Sequence, residues 1–383
     1  MKTAVHFGAG KIGKGFIADL LRGSGYDIIF VDVSEKAVAQ INQDKQYSLF
    51  LIDHDYEERV IDHISALSSI TEQDKVMEAI TEAEIITTSV MAGNLSKIAP
   101  LLARGLKRRF EAGKGKAIVM ACENAMNGTD ILKKAMIDSG VITGQELDSI
   151  GFFPNTAVDR MVFDGTHNGK QGIEIGDAFE LAIEKGKLPS PDFEPIKGAE
   201  YVDDLEMFLQ RKIYIINCGH AISGYFGQAK GYTIAQDALR DPEIQQRVVN
   251  AVMESAAALE KKYGFKHESL VKYMNSMFLK RLTTPGVSDP ITRVSRDPIR
   301  KIAPNERIMG PAFQCESYGL ENRYLLQGVA YALKFKNPED EQANELQNYI
   351  AEKGVTAAIL KYTGIKAGSR MLQVVLEEYN AIQ

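Results

Sequence analysis

Tryptophan is absent from the 383-residue chain, and cysteine occurs only three times, at Cys122, Cys218 and Cys315. Thiols this few, odd in number and far apart, exclude a disulfide framework and fit reduced cysteines in a cytoplasm. They offer no paired spacing for zinc, and the six histidines are scattered singly, so no clustered metal-ligand motif is present. No apolar run approaches the ~20 residues needed to span a bilayer. The first residues, Met1-Lys2-Thr3-Ala4-Val5-His6-Phe7-Gly8, run into a strand-and-glycine pattern without a signal-peptide apolar region or cleavage site. Basic charge is not in excess, since 45 Lys and Arg face 51 Asp and Glu for a net charge of -6. A nucleic-acid partner therefore has no electrostatic footprint. Internal repeats and low-complexity segments are also missing. Membrane, secreted, structural-zinc and DNA-binding functions are excluded as expectations, and a cytoplasmic location is expected. What is present is ordinary globular composition, 45% apolar and 25% charged, in a chain long enough for two or three domains.

The most patterned stretch is the N-terminal one. Lys2 to Phe7 reads as a short buried strand and ends at Gly8-Ala9-Gly10-Lys11-Ile12-Gly13, after which Ile12 to Leu21 has helical periodicity. This is G-x-G-x-x-G between a strand and a helix. Gly8 permits a tight turn, Gly10 a close approach of backbone to pyrophosphate, and Gly13 close helix-strand packing, with helix amides facing the phosphates. A second apolar run, Asp27 to Val31, ends in Asp32, nineteen residues after Gly13. A carboxylate there accepts hydrogen bonds from the adenosine ribose and repels a 2′-phosphate. NAD is the expected cofactor, with NADP disfavoured although Lys36 stands nearby.

Strands continue to alternate with helices. Glu84 to Val90 follows a helix at about 71–83, and Lys116 to Cys122 follows a helix over Ser96 to Phe110. That alternation implies a mostly parallel sheet with ligands beyond its carboxyl edge. Val90 to Asn94 and the pair Glu123 and Asn124 are thereby placed near the cofactor, the last two as cofactor contacts or as loop caps. The basic run Arg104 to Arg109 reads as a solvated helix end.

Beyond a late short strand at Gly172 to Gly176 and the prolines Pro189 and Pro191, the chain changes character. From Asp203 onward the pattern is helical, with a long helix to about Gly227 and another from Pro242 to Tyr263 capped by Gly264. The expected architecture is α/β: a Rossmann-like domain with a mostly parallel sheet over 1–195, then a mostly α-helical substrate-binding domain over 196–383. The active site is expected in the cleft between them.

In the helical half, Arg211 to His220 carries chemistry. On an α-helix, with Lys212 as origin, Asn217 lies at about 140° and His220 at about 80°. A lysine, an amide and an imidazole then share one broad face. Oxidising an alcohol by hydride transfer needs a base for the hydroxyl proton and donors for the developing alkoxide. Lysine serves as that base where burial or neighbouring positive charge lowers its pKa. Spacing alone also fits a snorkelling surface lysine beside a core histidine and a helix-bonded asparagine.

Three features in order along the chain resemble the polyol-specific long-chain dehydrogenase/reductase family, also called the mannitol dehydrogenase family. They are Gly8-x-Gly10-x-x-Gly13, Val158-Asp159-Arg160, and Lys212-x4-Asn217-x2-His220. Arg293 to Lys301 is similar to the family's C-terminal basic segment. The signature departs from the usual Ile or Val, then Pro or Ser, with Met161 and Phe163. The resemblance implies that Lys212 is the general acid/base, that Asn217 holds the reacting oxygen and that His220 orients substrate hydroxyls. It implies an oxyanion-binding position at Asn155 and a structural ion pair between Asp159 and Arg160. No catalytic metal is implied. Because the chain is short and opens almost directly on the nucleotide strand, it looks closer to members acting on mannitol 1-phosphate than to mannitol 2-dehydrogenases or hexuronate reductases. The expected reaction is the NAD-dependent interconversion of D-mannitol 1-phosphate and D-fructose 6-phosphate. A phosphorylated substrate calls for basic side chains, for which Arg296 and Arg300 are the candidates. Action on unphosphorylated mannitol or a hexuronate, and a catalytically silent NAD-binding regulator, are the alternatives.

Overall fold

The computed structural model describes residues 2–284 and 288–382. Contacts divide the chain into two units, Met1–Leu205 and Glu206–Gln383. Strands in the first unit are β1 (Lys2–Phe7), β2 (Tyr26–Asp32), β3 (Tyr47–Leu51), β4 (Glu57–Ile61), β5 (Ile64–Ser68), β6 (Ile85–Thr88), β7 (Ala117–Ala121), β8 (Gly151–Phe152), β9 (Thr156–His167), β10 (Lys170–Glu184) and β11 (Glu200–Val202).

Six of them form a parallel sheet in the order β5-β2-β1-β6-β7-β8. Its middle strands are buried because both faces are covered. On one face Phe16, Ile17 and Leu21 of the first helix pack with Ile28 and Phe30 of β2. On the other, Val76 and Ile80 of helix Gln73–Glu82 and Leu102 and Leu106 of helix Leu95–Glu111 cover Val5, Ile86 and Val119. The strand order reverses between β1 and β6. In an open α/β sheet this opens a crevice at the carboxyl ends of the strands. The Rossmann-like, parallel architecture expected from the sequence is the one observed.

A second sheet was not legible in the sequence. Its order is β11-β10-β3-β4, with β9 antiparallel to β10. The short strand expected at Gly172–Gly176 lies in the first half of the fifteen-residue β10. Asp159 stands opposite Glu180, and Arg160 opposite Phe179. Successive strand residues point to opposite faces, and the expected Asp159–Arg160 ion pair gives way to a different one. Arg160 is buried, with its guanidinium 2.6 Å from Asp19 on the first helix and between the rings of Phe16 and Phe179. It also donates to the Gly176 carbonyl at 2.9 Å. The family signature thus ties the hairpin β9-β10 to the nucleotide helix. Met161, at the departure from that signature, is buried against Gly176.

The second unit is mostly helical. Helix Pro242–Tyr263 starts where Asp241 accepts the amides of Glu243 and Ile244, and stops at Gly264 with φ of 73°. It packs on helices Cys218–Ala229, Met309–Tyr318 and Arg323–Lys334. Helices Glu341–Lys353, Val355–Tyr362 and Arg370–Ala381 follow. Among the described residues no helix is long and apolar enough to cross a membrane.

Candidate active site

The glycine motif forms the turn that its spacing predicts. Gly8 has φ of +105°, open to glycine, and a Cβ there would meet the Ser89 carbonyl oxygen at 2.7 Å. Gly13 sits against the Gly8 carbonyl and the His6 ring, so a side chain at that position has no room. Over Gly10 nothing lies within 4 Å, which leaves its backbone accessible to a phosphate. Ala9 is buried, while Lys11 is exposed and pairs with Asp164 at 3.0 Å; Ile12 is partly exposed. Asp32 Oδ2 accepts the Ala9 amide hydrogen at 2.7 Å and Oδ1 accepts that of Ser34 at 2.9 Å. The β2 carboxylate therefore stands beside the glycine turn. These residues fit a dinucleotide: a turn with open backbone, a following helix and an acid at the ribose position.

One part of this cradle, His6, was not picked out from sequence. His6, inside β1, is fully buried with Nδ1 2.7 Å from Thr87 Oγ1 and Nε2 2.8 Å from Ser89 Oγ. Burial pushes its pKa down to about 3, against a hydrogen bond to the Gly8 backbone. The ring is a neutral brace under the turn; a histidine among the apolar residues Ala4, Val5 and Phe7 is its one sequence signal. Loops at the carboxyl edge expose Val33, Ile70, Met91 and Met126. Apolar side chains displayed around a polar crevice suit the flat faces of a dinucleotide. Glu123 is buried and its Oε1 accepts from Thr88 Oγ1 and the Val90 amide, each at 2.8 Å. These bonds tie the loop after β7 to the end of β6. Asn124 is exposed at the same edge.

Lys212, Asn217 and His220 lie on one helical path that includes Leu205–Arg211 and Cys218–Ala229. The turn Lys212–Asn217 is π-helical, so the 100° arithmetic does not hold there. Its i→i+5 pairing widens the turn and aligns Lys212 with Asn217 more closely than an α-helix does. His220 follows Asn217 by three residues of α-helix, on the same side. All three are half-buried, whereas Tyr214, Ile215 and Ile216 turn into the core. His220 is held edge-on to Phe278, with centroids 5.6 Å apart. Next to Lys212, the buried guanidinium of Arg211 lies 4.5 Å from the Phe208 ring centre and 4.2 Å from that of Tyr273. This caged cation was also missed from sequence. Single π turns in α-helices recur at functional sites.

The basic segment begins in the short helix Ile291–Val294, which packs against Cys218–Ala229. Ser295 fits against Gly224, where a Cβ would collide with it, and Tyr225 donates to the Ser295 carbonyl at 3.2 Å. Arg296 is strongly exposed, 3.9 Å from Asp297, while Arg300 pairs with Asp297 at 3.2 Å and Glu306 at 3.6 Å. Lys301 is buried, donating to the Val294 and Arg296 carbonyls. Its pKa is pushed down to about 7, by burial first and then by the charges of Arg307, Arg300 and Arg296. Asn155, the position that the resemblance assigns to oxyanion binding, is tied into the first unit. Its buried amide nitrogen donates to Asp130 at 2.8 Å and Glu184 at 3.2 Å, and its oxygen accepts the Asp130 amide. These bonds crosslink the first unit.

Comparison with known proteins covers nearly the whole chain. Residues 2–194 match the Mannitol dehydrogenase Rossmann domain, and residues 204–383 the Mannitol dehydrogenase C-terminal domain. The mannitol-1-phosphate 5-dehydrogenase of Geobacillus thermodenitrificans (strain NG80-2) is 39% identical over 99% of both chains. That of Oceanobacillus iheyensis is 37% identical, covering 100% of this chain and 99% of its own. A crystal structure of D-sorbitol dehydrogenase in substrate-free form superimposes with a TM-score of 0.82 at 18% identity, over 98% of this chain and 92% of that one.

Proposed function

The chain belongs to the mannitol dehydrogenase family of oxidoreductases, and from that premise we propose that it interconverts D-mannitol 1-phosphate and D-fructose 6-phosphate with NAD(H), without a metal. The alignment of Lys212, Asn217 and His220 along one face of a π-turn-bearing helix is the observation that carries this reading. In oxidation, neutral Lys212 takes the proton of the reacting hydroxyl, and the amide of Asn217 donates to the oxygen as negative charge develops on it. His220, fixed by Phe278, orients the neighbouring hydroxyls. NAD would supply the two-electron hydride acceptor, so that loss of the hydroxyl proton and of a hydride from the same carbon leaves a carbonyl. The glycine-turn amides and Asp32 would hold it. In reduction, protonated Lys212 returns the proton to the alkoxide.

Phosphate specificity is supported by the full-length relatives named for mannitol 1-phosphate and by the basic segment that starts against the Lys212 helix. The deciding experiment compares fructose 6-phosphate, fructose and fructuronate as oxidants of NADH. A kcat/KM for fructose 6-phosphate at least about a hundredfold above the others is expected, since a charged phosphate lost from an arginine site costs about 2–3 kcal/mol or more. Preference for either unphosphorylated ketose would overturn the substrate assignment.

A further inference from the structure

The loop after β6 holds a methionine in a backbone conformation that suits glycine. Met91 has φ of 71° and ψ of 138°, a region sparsely populated by any side-chain-bearing residue. Its side chain is 73% exposed, so burial gives no return for the strain. The conformation is imposed by fasteners on both sides. The Val90 amide donates to buried Glu123 at 2.8 Å, Asn94 Nδ2 donates to the Val90 carbonyl at 2.7 Å, and the Asn94 amide donates to the Met91 carbonyl at 2.9 Å. Just before them, the Ser89 amide donates to the Phe7 carbonyl at 2.8 Å, and the Ser89 carbonyl closes on Gly8. The loop is thus clamped to the glycine turn across the switch point between β1 and β6. Asp32 marks the adenosine side, at the end of β2 on the other flank of β1. A dinucleotide whose pyrophosphate lies at the turn therefore extends its other half towards β6.

We infer that Met91 is a cofactor-contact residue: its polarizable side chain is held out, at the expense of local strain, as the apolar surface on which the nicotinamide half of the dinucleotide packs. This rests on the NAD reading above. The experiment measures NADH and ADP dissociation constants by fluorescence and calorimetry, and the melting temperature without ligand, for wild type, Met91→Gly and Met91→Leu. Glycine relieves the backbone but removes the platform. The expected result is NADH binding weakened about tenfold by the glycine variant, from loss of part of a methionine's apolar burial. ADP binding and melting temperature should be equal to or better than wild type in that variant, and leucine should bind NADH within about twofold of wild type. Unchanged NADH binding in Met91→Gly overturns the inference. Equal losses for NADH and ADP, or a loss accompanied by a lower melting temperature, overturn it too by assigning Met91 to the fold. Failure of the wild-type enzyme to bind NADH would overturn the cofactor reading itself, and the inference with it.

Discussion

The Asp32 carboxylate accepts the amide hydrogen of Ala9 at 2.7 Å, so the acid that would read the ribose also braces the turn that would hold the pyrophosphate. Asp32→Ala removes both a ribose acceptor and a charge that repels a 2′-phosphate. KM for NAD should rise about tenfold or more, as for a lost hydrogen bond to a charged group of ~1.5–3 kcal/mol, and the preference over NADP should narrow. Steady-state kinetics with both cofactors checks this. A wild-type enzyme that prefers NADP would remove Asp32 from the assignment.

Asn155→Ala should act on stability rather than chemistry. It strips buried partners from Asp130 and Glu184, at a cost of about 1–3 kcal/mol in urea unfolding. Its kcat for fructose 6-phosphate reduction should stay near wild type. A collapse of kcat with unfolding unchanged would restore Asn155 to the oxyanion role.

Acid should loosen the first unit through His6. Its folded pKa of about 3 lies below the ~6.5 of an unfolded histidine. The stability from keeping it neutral is complete above that upper value and is lost as pH falls towards the lower one. The loss is about 1.4 kcal/mol per pH unit within this window. His6→Gln should show a flatter dependence in urea titrations at pH 7.5 and 5. Parallel pH profiles for the two proteins would contradict the burial argument.

For the phosphate, Arg296→Ala and Arg300→Ala are compared. If either side chain binds the substrate dianion, that variant should raise KM for fructose 6-phosphate about tenfold or more while NADH affinity holds, as for loss of a charge-assisted hydrogen bond. Arg300 already has Asp297 and Glu306 as partners, so the larger effect is expected at Arg296. Equal losses for substrate and cofactor would give the segment a folding role.

What was legible in the sequence was local. The strand β1, the glycine turn, Asp32 and the helix Pro242–Tyr263 with its Gly264 cap each carry their signal within a few residues. The second sheet does not. β10 pairs in parallel with β3, more than a hundred residues earlier, and its alternation is interrupted by the shift between Ile175 and Phe179. Arg160 likewise found Asp19 rather than its neighbour Asp159, because strand geometry turned the two apart. Spacing placed Lys212, Asn217 and His220 on one side of a helix, but the π turn that tightens their alignment has no sequence signature. Val90 to Asn94 were placed near the cofactor from the sequence, but the strain at Met91 and the bracing bonds of His6 depend on residues packed around the turn.

The sharpest measurement is the single-turnover rate of Lys212→Ala with fructose 6-phosphate and saturating NADH. With Lys212 as the proton donor, the variant should bind NADH as the wild type does and reduce the ketose about 10²–10⁴-fold more slowly. A small primary amine should return part of the rate. A folded Lys212→Ala enzyme that turns over at near-wild-type rate would contradict the lysine mechanism.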